Sequence, residues 1–297
     1  MKQRQINKVK RKAYKVKVWY RFIRKIVNTY RSSTLYIIKV RYRFFRRIRF
    51  KITRIAVFLF FKFWIKEIRG LENIPLTGPA ILVSNHLSYY DFLIFGSILS
   101  NYIVFVATKK IEQTFFIRWF TKLHHVAYVD KDYPGQSFFR NIIRHLERGR
   151  LILIYPEGTR SRTGKMLSPK HGFVKLAIKT NTPIIPIAMK GTYEILPPSK
   201  HMPRLKRCSV IICKKFYISP EQAMFKDIFF RKRKGDKLSN LSDEEMSEMA
   251  FRIMDKIRLL AEEKWDENAL EEIQKFKLAK QQAENSFIKN KYIKIHN

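Results

Sequence analysis

Acidic residues are missing from the first 66 positions. That stretch holds 22 of the 61 lysines and arginines and none of the 24 aspartates and glutamates, which leaves +15 of the formal +37 for the other 231 residues. So one-sided a charge calls for a polyanionic partner: nucleic acid, an acidic membrane surface, or an anionic substrate in quantity. Cysteine is nearly absent, with only Cys208 and Cys213 in "CSVIIC". Five residues apart in a β-like run, the two point to opposite faces, which argues against a disulfide, and two thiols with no histidine nearby make no zinc site. Such scarcity fits a reducing compartment. Long apolar runs are missing too. The first of any length, "IAVFLFFKFWI" at residues 55–65, has eleven residues with Lys62 among them, against roughly 18–20 for a bilayer span. No small-residue cleavage pattern follows it, so no cleavable signal peptide is expected. There is no Gly-x-Ser-x-Gly elbow, no His-Glu-x-x-His and no Gly-x-x-x-x-Gly-Lys, so a serine lipase, a zinc hydrolase and an ATPase all lose ground. No internal repeat is visible.

What is present is enough for a core. Apolar residues make up 46% of the 297 and aromatics 14%, which suits one large α/β domain with appendages or two small domains. The basic first block interleaves its charges with Trp19, Tyr20, Phe22, Tyr36, Tyr42, Phe44, Phe45 and Phe50. "VRYRFFRRIRFKITR", residues 40–54, alternates like a strand, yet Val40, Phe44, Ile48 and Ile52 also share one helix face. Periodicity leaves both readings open. Residues 55–65 read as a buried core helix or as a segment lying in a membrane interface; the basic, aromatic flanks favour the interface. Residues 1–66 are therefore expected to be a membrane-associating segment and 67–225 the folded domain. Residues 226–297 are expected to be a basic linker, "FRKRKGDK", followed by an amphipathic helical segment.

Within 67–225, "AILVSN", "YIVFVA", "LILIYP", "TPIIPIAM" and "SVIICKKFYI" read as strands. Pro183 and Pro186 predict that the fourth is an edge or irregular strand. "SFFRNIIRHLERG" puts Phe139, Ile142, Ile143 and Leu146 on one helix face and stops at Gly149. Strands alternating with helices give an α/β fold, a central mixed sheet flanked by helices. Met246, Met249, Ile253, Ile257, Leu260, Ala261 and Trp265, behind the Ser-capped, acid-rich "LSDEE", predict one long amphipathic helix or two shorter ones.

Two loops carry chemistry. "NHLSYYD" follows the first apolar run and sets His86 five residues before Asp91. Histidine titrates nearest neutrality and works best as a base when a carboxylate orients it. Taken singly, His86 also reads as a satisfied structural histidine. Ser88 to Asp91 also reads as a capping box. The pair at the end of a strand is the better signal, because ligands of open α/β sheets gather there. "YPEGTRSRTG", residues 155–164, follows the strand "LILI" and suits an anion: arginine can clamp a phosphate with two parallel hydrogen bonds. Alone it would be an ordinary surface turn.

Together these segments resemble the lysophosphatidic acid (1-acyl-sn-glycerol-3-phosphate) acyltransferase family, the PlsC-like domain, over roughly residues 65–215. "NHLSYYD" resembles its catalytic block, "TKK" to "AYVDK" (108–131) its second block in outline, "YPEGTRSR" its third almost letter for letter, and "TPIIPIAMKG" (182–191) its fourth. The resemblance implies transfer of a fatty acyl group from acyl-CoA or acyl-carrier protein to the hydroxyl of a lysolipid acceptor. His86 would be the base and Asp91 would orient it. Glu157, Gly158, Thr159 and Arg160 would bind the acceptor, with Arg160 on its phosphate, and Lys109 and Lys131 would assist. The fourth block would shape the acyl and acceptor pocket. It implies no cofactor beyond the acyl donor as co-substrate and no covalent acyl-enzyme. The expected partners are an anionic membrane surface on the cytoplasmic face, the lysolipid and the acyl donor, with no nucleic acid. Where the family has Asp-Arg this chain has Asp130-Lys131, and where it has glycine this chain has His125. Lysine keeps the charge but loses the fork, so another lysolipid acceptor stays open.

Overall fold

The computed structural model describes residues 62–98, 103–108, 125–129, 135–200, 202–230 and 241–296, with isolated positions between 21 and 59. Seven strands form one sheet: β1 (Ile65–Arg69), β2 (Ala80–Ser84), β3 (Ile103–Thr108), β4 (His125–Val129), β5 (Leu151–Ile154), β6 (Ile184–Lys190) and β7 (Cys208–Ile212), in the order β1-β7-β6-β2-β5-β3-β4. Every pairing is parallel except β6 with β7. The sheet is thus central, mixed and mostly parallel.

A parallel sheet covered on both faces reads as continuous apolar runs, and the alternation appears only in which layer each residue joins. Ile81 and Val83 of β2 enter one core layer, Ala80 and Leu82 the other. The first layer is closed by α2 (Gln136–Glu147), α3 (Gly172–Thr180) and α6 (Asp243–Ala261). The second is closed by α1 (Tyr90–Ile98) and the short α4 (Thr192–Ile195). Two further helices are α5 (Lys226–Phe230) and α7 (Glu267–His296). All nine residues of α1 are buried, which fits a helix that is apolar all round.

The expected helix ends take the expected form. Gly149 and Arg150 donate to the Leu146 and His145 carbonyls (2.8 and 3.1 Å), satisfying the last turn of α2. Ser242 caps α6 reciprocally with Glu245. The C-terminal pattern is two helices, because Glu262 adopts the left-handed region (φ 58°) and ends α6. Its apolar face is part of the sheet's core: Met246, Met249, Ile253 and Ile257 are buried there.

Two features differ from the sequence reading. Strands β1 and β4 lie outside the five runs singled out. And β6 is an interior strand, third in the sheet, so of the edge or irregular strand expected it is the irregular one and not the edge. Its prolines are accommodated by irregular pairing. Ile187 faces Ile212, yet Ile184 bridges Phe216, a one-residue slip between the strands. Pro186 sits at that slip, accepting from Cys213 N–H (2.9 Å) where its own missing N–H breaks no regular ladder.

Chain contacts divide the molecule into Met1–Ile55 and Ala56–Asn297. In the first unit the described positions Arg41, Phe45, Ile48 and Ile52 are helical, which bears on the strand-or-helix question left open for 40–54. Most of the remaining basic block and the linker at 231–240 lie outside the described residues.

Candidate active site

The two chemistry-bearing loops leave adjacent parallel strands, β2 and β5, at their carboxyl ends. Asn85, buried at the end of β2, extends the sheet with its side chain. Its amide nitrogen donates to the Met189 carbonyl and its oxygen accepts from Met189 N–H, both at 2.8 Å. This surrogate peptide fixes the backbone one residue before His86.

His86 Nδ1 lies 2.8 Å from Asp91 Oδ2. The same oxygen accepts from Leu87 N–H (2.8 Å) and Ser88 N–H (2.9 Å). Asp91 therefore both caps the turn that starts α1 and holds the imidazole; the alternatives weighed from the sequence coexist in one carboxylate. Asp91 is fully buried, while the His86 side chain is 16% exposed. A carboxylate on Nδ1 fixes that nitrogen as the donor and leaves Nε2 with a lone pair. Tyr155 stacks on the imidazole, its centroid 4.1 Å away. The Ser88 hydroxyl donates to the Leu196 carbonyl (2.8 Å), so it is engaged elsewhere. The buried Cys208 thiol is pushed up to about 12 by desolvation, which disfavours the thiolate that a nucleophile needs.

Glu157 braces the site from beneath. Its two carboxylate oxygens accept from His86 N–H and Leu167 N–H, both at 2.8 Å. Burial pushes it up to about 8, against the opposing pull of those two N–H groups. Its carboxylate thus joins the histidine loop to the loop after β5, and it reaches a ligand through the segments it joins. Gly158, at φ 70°, closes the turn by donating to the Tyr155 carbonyl (3.0 Å). Ser161 N–H donates to the His86 carbonyl (3.0 Å). Thr159 is exposed.

Arg160 lies over the Tyr89 ring, 3.3 Å from its centroid. Desolvation lowers its pKa, and its Nη1 is buried without a hydrogen-bond partner among the described residues. A buried unpaired guanidinium nitrogen is costly, and an anion would satisfy it. Farther along the loop, Met166 N–H donates to the Lys264 carbonyl (2.7 Å) and Asp266 N–H to the Met166 carbonyl (2.9 Å). The loop after β5 is thereby tied to the turn between α6 and α7.

The structure so brings together His86, Asp91, Glu157, Gly158, Thr159 and Arg160. Lys109 and Lys131 lie outside the described residues. Sequence reasoning missed Tyr155, Tyr89 and the Met166 bridge. Asn85 stood in the quoted motif without a role.

Residues 66–190 match the family model described as Acyltransferase. Over this segment the chain is similar to the acyltransferase family. Its relatives are distant. Over 146 residues, 48% of this chain, it is 30% identical to a chloroplastic 1-acyl-sn-glycerol-3-phosphate acyltransferase of Brassica napus, of which 41% is covered. Over 126 residues, 42% of this chain, it is 30% identical to the 1-acyl-sn-glycerol-3-phosphate acyltransferase of Bacillus subtilis, of which 62% is covered. The chain thus spans about half the length of these relatives. The crystal structure of the acyltransferase PlsC of Thermotoga maritima superposes with a TM-score of 0.53 at 22% identity, covering 73% of this chain and 80% of that one. At that identity the likeness speaks for the fold. All the site residues just described, apart from Leu196, Cys208 and the Lys264 to Asp266 turn, lie within the matched segment.

Proposed function

We propose that this chain transfers a fatty acyl group from acyl-CoA or acyl-carrier protein to the hydroxyl of a lysophosphatidic-acid-like acceptor, a step of phospholipid biosynthesis. The observation that carries the reading is the His86–Asp91 contact at the carboxyl end of a central strand. With Nδ1 held by the carboxylate, Nε2 takes the proton of the acceptor hydroxyl. The oxygen attacks the thioester carbonyl, the carbon–sulfur bond breaks, and the leaving thiolate recovers the proton from Nε2. Asp91 steadies the imidazolium in between. The partnerless Nη1 of Arg160 supports a phosphate on the acceptor. Glu157 keeps the base and the phosphate loop in register, and Gly158 and Thr159 present backbone and hydroxyl beside Arg160. Lys109 and Lys131 supply further positive charge for the acceptor.

An acceptor of this kind resides in a bilayer, and the first 66 residues suit a monotopic anchor on an anionic cytoplasmic leaflet. Cations near such a surface contribute about 1 kcal/mol each. Phe45, Ile48, Ile52 and Ile55 are helical and 58%, 37%, 62% and 53% exposed, an apolar stripe at steps of three and four. Among the described residues no helix is long and apolar enough to cross a membrane. The division at residues 66 and 225 belongs to this proposal.

The test is thiol release from long-chain acyl-CoA, and from acyl-carrier protein, on anionic liposomes with and without lysophosphatidic acid, beside His86→Ala. Release requiring both acceptor and His86 is expected. Release independent of the acceptor would make the protein a thioesterase. No release with either donor or with other lysolipids would end the reading.

A further inference from the structure

The loop from α4 to β7 exposes an amphipathic surface that the site chemistry leaves unused. Met202 is 79% exposed and Leu205 81%. Around them Lys200, Arg204, Lys206 and Arg207 are all exposed, and residues 199–207 contain no acid. The loop is firmly held. Arg204 N–H donates to the Ile195 carbonyl (2.8 Å), Trp64 Nε1–H donates to the Arg204 carbonyl (3.0 Å), and Arg207 Nη2 donates to the Ile65 carbonyl (3.2 Å). Those bonds set it beside Phe63, 60% exposed, and the exposed Lys62 and Lys66.

This surface lies on the edge of the sheet where the site opens. Strand β6 runs parallel to β2, and its last residue, Lys190, faces Ser209 at the start of antiparallel β7. Loop 199–207 therefore joins the sheet at the end where β2 and β6 finish. It is coupled directly to the histidine loop: Leu196, which opens the connection, accepts from the Ser88 hydroxyl. Trp64 packs edge-on against Tyr90 at the start of α1 (5.8 Å).

We propose that Met202 and Leu205, continued by Phe63 at the end of the N-terminal segment and ringed by the cations around them, form a docking surface for an anionic lipid bilayer that sets the site mouth against the interface. The chemistry favours lipid over nucleic acid. Two of the three exposed apolar side chains are aliphatic and offer no ring for a base to stack on. Aliphatic side chains ringed by lysine and arginine suit the boundary of acyl chains and acidic headgroups. Rigid anchoring lowers the ordering cost of inserting them. The proposal rests on the acyltransferase reading only for its effect on turnover.

Amide hydrogen exchange of the full chain tests it, read on peptides covering 199–207. The arms are no vesicles, phosphatidylcholine vesicles, vesicles of phosphatidylcholine and phosphatidylglycerol in equal parts, and a single-stranded oligonucleotide. Slowed exchange in 199–207 with the anionic vesicles alone is expected, lost in Met202→Ser/Leu205→Ser. Unchanged exchange there while the chain sediments with vesicles overturns the proposal. Equal slowing by the oligonucleotide overturns it in favour of a nucleic-acid surface. In the same double variant, turnover of a vesicle-embedded lysolipid should fall about tenfold, with turnover of a short-chain, water-dispersed one unchanged. A fall on both would overturn the docking role in favour of a structural one. A native chain inactive on both acceptors would remove the acyltransferase reading and leave the exchange result to decide the surface.

Discussion

Asp91→Asn separates the two duties that one carboxylate performs. In the native chain Oδ2 accepts three hydrogen bonds, from His86 Nδ1 and from the Leu87 and Ser88 N–H groups, while buried Oδ1 has no partner among the described residues. An asparagine with its carbonyl oxygen at the Oδ2 position keeps all three. Its NH2 group then occupies the place of Oδ1 and is left unpaired, at a cost of about 1–3 kcal/mol in stability. The capping duty and the orientation of the imidazole survive. The charge does not. A carboxylate about 4 Å from the centre of an imidazolium is worth roughly 4 kcal/mol at an effective dielectric near 20. Loss of that stabilisation in the transition state predicts kcat lower by about a thousandfold. Asp91→Ala instead strands two buried N–H groups and should cost roughly 2–6 kcal/mol in stability. The assay is thiol release at saturating acceptor, paired with denaturant unfolding of the same samples. A folded Asp91→Asn protein with kcat close to native, beside a strongly destabilised Asp91→Ala, would refute the catalytic part. Asp91 would then be a cap alone.

Three further perturbations follow from the same contacts. Asn85→Ala removes both side-chain bonds to Met189; a loss of about 2–5 kcal/mol is expected from denaturant unfolding, with activity falling as His86 loses its fixed backbone. Arg160→Lys keeps the charge but loses the fork and the stacking on Tyr89; the acceptor KM should rise on the order of tenfold or more with kcat less affected, as initial rates at varied acceptor would show. Burial raises Glu157 from 4.5 to about 8 and Glu263 to about 7; the folded state therefore binds more protons than the unfolded one, so stability is full below the ordinary carboxylate range and lost as pH rises through 7 to 8. Unfolding midpoints should fall over that window, and Glu157→Gln should flatten its upper part.

What the sequence disclosed, and what it hid, follows from the range of each interaction. The strand runs through "AILV" and "LILI" were legible because a strand buried on both faces must be apolar throughout. The α6 start was legible because its capping box lies within four residues, Ser242 to Glu245. The His86–Asp91 pair was legible for the same reason, being closed within one short loop. Strand β1, "IKEIR", was not. It is an edge strand, and edges carry charge that masks an apolar pattern. The interior position of β6 was hidden because the slip that accommodates Pro186 is made by a partner strand more than twenty residues on. The roles of Tyr155, Asn85 and Met166 depend on partners about seventy residues or more away. No local pattern encodes such contacts.

The family match ends at residue 190, yet the fold does not close there. Strand β7 pairs with both β6 and β1, so without residues 208–212 the first strand has no neighbour in the sheet. Helix α6 covers one face of that sheet with Met249, Ala250, Ile253, Met254 and Ile257, all fully buried. The turn after it reaches the site itself, since the backbone on either side of Trp265 holds Met166 through two hydrogen bonds. Trp265 is fixed in turn by Phe251 and by Asp255, both on α6 (5.5 Å between rings and 3.1 Å to Oδ1). A chain cut after residue 190 would keep His86, Asp91 and Arg160 but lose the clamp on the loop that carries Arg160. The chemistry-bearing residues are local to the matched domain; their fixed geometry is a property of the longer chain.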